Sequence, residues 1–194
     1  MWVDAESTAE IATAQVAALK IGVTVVLLDE QDSVHDLSKT LKTSGAKGLV
    51  FSPGTVEEKS KEKRANELFK LIPELGGLLP GDEFKTALFP KLQTLIHTGH
   101  KTIRGTSKFK ESMLYAKKEN TSLRVPGTDA NTVAFECFKG GEQLKSYTNQ
   151  DLVTYAGKIA STHYTLDPLS PIYMSLSFTY PLGFAAFLAA ASSG

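Results

Sequence analysis

The chain has 194 residues, of which 42% are hydrophobic and 22% are charged, and this suits one packed domain or slightly more. Basic and acidic residues number 21 each, so the formal net charge is zero. This balance excludes nucleic-acid binding through a strongly basic surface. Cys137 is the only cysteine, which excludes an internal disulfide and favours a reducing compartment. The first six residues contain two acids and no arginine, which is typical of neither a secretory signal nor a transit peptide.

The first fifty residues alternate between helix-forming and strand-forming segments. Residues 9–21 are rich in alanine and stop at Gly22, which predicts a helix. Residues 23–29 form a continuous aliphatic run, typical of a strand that is covered on both faces. Capping-box spacing at residues 33–36 predicts a second helix, and residues 47–52 predict a second buried strand. This order predicts an α/β fold with a doubly wound, mostly parallel sheet.

The middle of the chain is more polar. Residues 57–71 predict a charged amphipathic helix, and residues 92–97 predict another strand. Residues 119–131 contain Asn, Thr, Pro, Gly and Asp, which indicates a linker or surface loop. This segment divides the chain into an α/β unit at 1–118 and a second segment at 132–194, which we expect to pack on the same sheet.

The second segment begins with a hairpin pattern. Residues 133–138 and 143–148 have strand composition and flank Gly140-Gly141, a pair that suits a turn requiring positive φ at both central positions. Residues 148–151 have the spacing of a helix cap.

Residues 173–178 predict a strand, and residues 183–191 predict a helix of small side chains. The C-terminal apolar stretch is shorter than the roughly 20 residues that a membrane helix needs. We therefore expect a buried helix here and no transmembrane helix.

Three segments carry a family resemblance that covers residues 9–52 and 132–194. They are AQVAALKIGVTVVLLD, HDLSKTLKTSGAKGLVFS and DPLSPIYMSLSFTYPLGFAAFLAAASSG. In this order they resemble the N-terminal half of the adenylate-forming enzymes, which include acyl-CoA synthetases, luciferases and peptide-synthetase adenylation domains. The resemblance implies part of the synthetase N-terminal domain, in a family that activates acids with ATP.

This chain differs most from the family at the position of the family's phosphate loop. In the family, hydroxyl groups and backbone N–H groups hold the phosphates of ATP there, as glycine-rich loops do in general. Here no serine or threonine occurs from residue 133 to 145, and Glu136 and Glu142 place negative charge where a triphosphate would lie. The resemblance therefore implies a degenerate site, with a tight β-hairpin in place of the loop. The residues at this degenerate cofactor position are Lys139, Gly140, Gly141 and Lys145.

Two further clusters contain residues with metal-binding or nucleophilic chemistry. His97 and His100 could share a metal, but zinc needs three or four protein ligands. No nearby residue has ligand spacing, and the sequence does not place Cys137 or His163 relative to the pair. A polar loop at a strand end is the preferred interpretation, and no metal site is predicted. Cys137 has no identified base beside it, which favours an inert core cysteine over a nucleophile.

The basic loop at residues 102–110 is the candidate for lipid contact. Arg104, Lys108 and Lys110 stand there among hydroxyl residues and could bind a phosphate or an acidic lipid headgroup; a solvated loop or protein contact is the alternative. Four aromatic residues either line an acyl pocket or belong to the core: Phe178, Tyr180, Phe184 and Phe187. Tyr180 and Ser177 stand where the family usually has histidine and proline, which argues against the pocket.

These features predict a non-catalytic pseudo-enzyme without cofactor or metal, acting as a structural or accessory subunit with other protein chains. The family's frequent work at membranes suggests a mitochondrial membrane complex, such as one of the respiratory chain, with the cytoplasm as the other location. Two alternatives stay open. One is a fragment or split half of an acid–CoA ligase, and the other is a module that binds an acyl chain or CoA without turnover.

Overall fold

The secondary structure alternates between strands and helices along most of the chain. The computed structural model describes residues 2–4, 8–28, 33–53, 63–79, 82–114, 129–163, 173 and 176–193. The strands are β1 (Trp2–Asp4), β2 (Val25–Leu27), β3 (Gly48–Phe51), β4 (Thr94–His97), β5 (Ser107–Lys108), β6 (Val133–Lys139) and β7 (Glu142–Thr148). The helices are α1 (Ala9–Lys20), α2 (Val34–Ser44), α3 (Lys63–Leu71), α4 (Phe109–Leu114), α5 (Asn149–His163) and α6 (Pro181–Ser193), with a 3-10 turn at Pro73–Gly77.

All seven strands belong to one sheet, in the order β5-β4-β3-β1-β2-β6-β7. The first six strands are parallel, and β7 runs antiparallel to β6. Strands on either side of the predicted linker therefore join the same sheet. The prediction of an α/β fold with a mostly parallel sheet is confirmed.

Helices cover both faces of this sheet, which explains why β2 is apolar without interruption. Val25 and Leu27 face a core built with α1, α5 and α6. Val26 and Leu28 face a second core built with α2 and α3. Burying each such side chain stabilises the fold by about 1.5–3 kcal/mol relative to leaving it exposed.

Two helices begin at the caps that the sequence predicts. Ser33 Oγ accepts a hydrogen bond from the backbone N–H of Asp36 at 3.2 Å, and Asp36 Oδ2 accepts one from the backbone N–H of Ser33 at 3.1 Å. The bonds from Ser33 lower the pKa of the Asp36 carboxyl. Thr148 and Asp151 form the equivalent pair at the start of α5, so both capping boxes satisfy backbone N–H groups that a helix start leaves without partners.

The strand predicted at residues 173–178 is wrong in the part that the structure describes. Residues 176–180 form a turn, because their backbone groups bond locally and to α1. The N–H of Thr179 donates to Ser177 Oγ at 3.2 Å, and the N–H of Tyr180 donates to the Ser177 carbonyl at 3.1 Å. The Phe178 carbonyl accepts a 3.0 Å hydrogen bond from Gln15 Nε2. A turn rather than a strand therefore leads into α6.

Two predictions lie partly outside the described residues. The helix predicted at 57–71 is seen as α3 from Lys63 onward, and residues 119–128 of the predicted linker are not described. Within the described ranges, every helix is too short or too polar to cross a membrane.

Candidate functional site

The β6–β7 hairpin occupies the place where the resemblance puts the phosphate loop. Lys139 pairs with Glu142 across a two-residue turn, in which Gly140 has φ 58° and Gly141 has φ 77°. Glycine suits both positions because side chains disfavour positive φ. The predicted hairpin is thus confirmed, with strands one residue longer at the turn than the sequence indicated.

The side chain of Lys39, from α2, packs over the hairpin turn. Its Nζ lies 3.1 Å from Glu142 Oε1 and donates to the Gly140 carbonyl at 3.4 Å. A Cβ atom at Gly141 would overlap the aliphatic part of Lys39. The closed turn and the lysine side chain together fill the space at the tip.

The residues at the tip do not fit a triphosphate. The Lys39 ammonium is paired with Glu142, and no hydroxyl side chain occurs between residues 133 and 145. Lys139 and Lys145 lie on different strands, since Lys145 stands opposite Cys137 and its Nζ lies 4.8 Å from the ring centroid of Tyr147. The tip therefore lacks the set of converging donors by which phosphate loops act.

His97 is buried at the end of the strand predicted at residues 92–97. It is the last residue of β4, is 0% exposed, and neither ring nitrogen has a hydrogen-bond partner among the described residues. Burial, helped by the charge of Lys108 and opposed by Glu111, lowers the pKa of His97 to about 4. His100 is exposed three residues later. The residues that the structure describes contain no group of three potential metal ligands.

Cys137 lies half-buried on β6. Burial raises the pKa of its thiol to about 11, against a smaller opposing effect from Lys145. Since the thiolate is the reactive form, this environment suppresses nucleophilic chemistry and agrees with the interpretation of an inert cysteine.

Two of the three basic side chains in the loop at 102–110 contact nearby groups of the chain. Arg104 Nη1 donates to the Gly76 carbonyl at 3.0 Å, and Lys108 Nζ lies 3.2 Å from Glu111 Oε1. Lys110 is exposed on α4. Lipid contact through these residues stays a prediction.

The aromatic residues near the end of the chain form part of the core. Phe184 lies edge-on to Phe135, with ring centroids 5.1 Å apart, and Phe178 lies edge-on to Phe187 at 5.4 Å. Tyr180, by contrast, is 48% exposed. The rings of Phe178, Phe184 and Phe187 therefore fill space against one another and the sheet, as the alternative to an acyl pocket predicted.

Sequence reasoning missed Lys39 and Gln15, whose partners are remote in the chain. Lys39 bonds to a residue 103 positions away, and Gln15 to one 163 positions away. Gln15 is fully buried, and its Oε1 has no hydrogen-bond partner in the described part of the chain. The sequence signal for the burial of Gln15 is that a polar residue stands within the alanine-rich helix α1.

Comparisons with known proteins agree with this fold. No protein-family model matches the chain. The putative acyl-CoA synthetase YngI of Bacillus subtilis (strain 168) is 29% identical over 113 residues, which are 58% of this chain and 20% of that protein. A long-chain-fatty-acid-CoA ligase of Archaeoglobus fulgidus matches all of this chain and 33% of its own, with a TM-score of 0.71 at 16% identity.

Two further structures show the same relation. A putative long-chain-fatty-acid CoA ligase of Rhodopseudomonas palustris CGA009 has a TM-score of 0.70 at 13% identity, and the match covers 100% of this chain and 42% of that one. The amide bond synthetase McbA of Marinactinospora thermotolerans has a TM-score of 0.66 at 16% identity, with coverage of 100% and 33%.

The chain therefore has the fold of one part of an adenylate-forming acyl-CoA ligase. It spans about a fifth of the curated relative and a third or somewhat more of the solved structures. The resemblance predicted from the sequence is confirmed at this level.

Proposed function

We propose that this acyl-CoA ligase-like chain acts as a non-catalytic structural subunit of a larger protein assembly, such as a mitochondrial membrane complex. The supporting observation is the hairpin tip, where a Gly-Gly turn and the paired Lys39 side chain stand in place of a phosphate loop. A fold persists readily after its site has lost the chemistry, because packing and polar site residues are separate requirements.

The test of this proposal is the native size of the endogenous protein after extraction in mild detergent, with its co-migrating chains identified by mass spectrometry. We expect a large assembly of fixed stoichiometry that does not catalyse acid-dependent exchange between ATP and pyrophosphate. Migration as a free small protein, or exchange activity that tracks with the chain, would overturn the proposal.

A second function is favoured by the comparisons, which concern ligases and carry no information about an assembly. In this alternative the chain is a portion of a working acid–CoA ligase, and another polypeptide supplies the nucleotide-binding motifs. The observation behind it is that the whole chain matches part of several ligase structures.

The two functions differ in what hairpin substitutions do. In a working ligase that holds phosphate at the hairpin, replacing Lys139 and Lys145 by Gln would raise the KM for ATP in the exchange assay. Lys110→Gln, on the exposed surface of α4, is the control. Exchange activity with an unchanged KM for ATP would mean that another polypeptide binds the phosphates. If no carboxylic acid supports exchange, this second function is ruled out.

A further inference from the structure

The net charge of zero conceals an uneven distribution of charge around the sheet. Parallel strands begin at one edge, the amino edge, and the connecting helices end there. The first turns of α1 and α2, at the opposite edge, carry the acids Glu10 and Asp36. The last turns of the same helices carry Lys20 and Lys42. These two helices thus begin with acids at one edge of the sheet and end with lysines at the other.

Two more lysines stand at the same edge, directly before strands. Lys47 precedes β3 and Lys91 lies in the turn before β4. The two loops are joined, since the N–H groups of Gln93 and Thr94 donate to the Lys47 carbonyl at 2.8 and 3.2 Å. The Lys91 side chain also packs beside Gly45, at the end of α2, so Lys91 lies next to the segment that carries Lys42 and Lys47.

We name this set the lysine edge: Lys20, Lys42, Lys47 and Lys91. Its four side chains are exposed, and among the described residues none has a carboxylate within ion-pair distance. The segments 20–24, 41–48 and 90–94 contain no acid. Strands β2 and β3 are separated by β1 alone, so the strand starts that follow Lys20 and Lys47 lie about 10 Å apart. Lys20 and Lys42 approach this edge from opposite faces of the sheet.

The helix C-termini offset only part of the positive charge of the lysine edge. A helix C-terminus carries about half a negative charge, which two of the four lysines offset. Lys47 and Lys91 lie outside helices. Described acids in the connections at the same edge have partners of their own. Asp82, Asp129 and Asp151 accept hydrogen bonds from the backbone N–H groups of Leu79, Asn131 and Thr148. Glu74 accepts one from the Thr86 hydroxyl, and Glu83 pairs with Lys85 at 2.9 Å.

Exposed aliphatic side chains lie among these lysines. Ile21 and Val23, which follow Lys20, are 46% and 37% exposed, and Leu88, three residues before Lys91, is 39% exposed. Lysine side chains beside aliphatic groups suit an anionic lipid surface, because the charges meet headgroups while the apolar groups enter the boundary region. An acidic protein would more commonly be met by arginine, which binds carboxylates through two parallel hydrogen bonds.

From this combination we propose that the lysine edge docks the chain on an anionic membrane surface, with Ile21, Val23 and Leu88 against the lipid. The proposal concerns a surface distinct from the hairpin and from the basic loop at 102–110, and it holds whether the chain is a structural subunit or part of a ligase. Each lysine near such a surface contributes about fivefold to binding.

The test is co-sedimentation of the full chain with vesicles of phosphatidylcholine alone or with 30% phosphatidylglycerol. We expect binding to the anionic vesicles that weakens between low and high salt, since screening shortens the range of the charges. Replacing all four lysines of the edge by Gln should lower binding at least tenfold, whereas replacing them by Arg should preserve it. The Arg variant also controls for any effect of four substitutions on folding.

A control variant changes the net charge by the same amount elsewhere on the surface. It carries Gln at four exposed lysines outside both the edge and the basic loop: Lys101, Lys139, Lys145 and Lys158. We expect it to bind like the unmodified chain. Three results would each overturn the proposal. The first is that the chain binds neutral vesicles equally well. The second is that the Gln variant of the edge binds as tightly as the unmodified chain, and the third is that the control variant loses as much binding as the edge variant. Loss in the control alone would assign the membrane contact to the other lysines.

Discussion

The central strands and the hairpin of this sheet are stabilised in different ways. In β2 and β3 the side chains are buried almost without exception, whereas most side chains of β7 are exposed. The centre therefore depends on packing from two layers of helices, and the hairpin tip on its turn and the Lys39 contacts. A ligase-like fold can therefore keep its core while the hairpin tip varies, because few core contacts depend on the tip.

The largest contrast between the two regions is expected from matched truncations. Phe51 is fully buried on β3, and Leu144 is 65% exposed on β7. We expect Phe51→Ala to lower the free energy of unfolding by about 3–5 kcal/mol because it leaves a cavity, and Leu144→Ala to change it by less than about 0.5 kcal/mol. Urea unfolding followed by circular dichroism measures both. Similar losses in the two variants would remove the contrast.

A second contrast concerns stability at low pH, because His97 is buried in β4, inside the sheet. Its pKa of about 4 in the folded chain is below the ordinary 6.5. Below pH 6.5 the unfolded chain binds a proton that the folded chain does not, so stability falls as the pH falls from 6.5 toward 4. We expect a loss of about 2 kcal/mol between pH 7 and pH 5 from this residue.

The measurement is the free energy of unfolding at several pH values for three proteins. The loss attributed to His97 should disappear in His97→Leu, which cannot titrate, and persist in the control His100→Gln, which changes an exposed histidine. An unchanged pH dependence in His97→Leu would contradict the assignment.

The turn of the hairpin should tolerate substitution less well than a helix does. Gly141→Ala places a Cβ at φ 77° and against Lys39, and we expect a loss of about 1–2 kcal/mol. In Gly157→Ala, in α5, the new Cβ meets none of the described atoms within 4 Å, and the free energy of unfolding should rise by about 0.5–1 kcal/mol. Thermal melting of both variants checks the pair, and a stabilised Gly141→Ala would refute the geometry of the turn.

The smallest effect is expected from the Lys39 contact itself. Lys39 and Glu142 are 45% and 77% exposed, and exposed ion pairs contribute less than about 1 kcal/mol. Lys39→Met keeps the packing over Gly141 and removes the charge, with Lys42→Met as the control on the same helix. A loss above about 2 kcal/mol in Lys39→Met alone would show that the hairpin depends on this ion pair.

Local patterns predicted the elements that local chemistry determines. The Gly140-Gly141 turn and the capping boxes at Ser33 and Thr148 follow from backbone conformation and hydrogen bonding within four residues. The aliphatic run of β2 follows from burial on both faces. The strand prediction at 173–178 was wrong in its described part, where local bonds to Ser177 and a bond from Gln15, 163 positions away, hold the backbone in a turn.

The candidate site was harder to predict for the same reason. The missing hydroxyl groups between residues 133 and 145 are visible in the sequence, but Lys39 covers the tip from a helix about a hundred residues earlier. The strand predicted at residues 92–97 ends at His97, as β4 does, but the burial of this side chain was not predicted because Thr98, Gly99 and His100 beyond it are polar or small. Its burial depends on its place in β4, between β3 and β5, which spacing alone does not reveal.

The hydrogen bond between Gln15 and the Phe178 carbonyl has a consequence for synthesis. The two residues are 163 positions apart, and a ribosome adds about 5–20 residues per second. Helix α1 therefore emerges on the order of ten seconds or more before the segment that covers its buried side. During translation the core around Ile11 and Ala14 lacks Phe178 and Phe184 until then, and this interval is when a chaperone would have the greatest opportunity to bind.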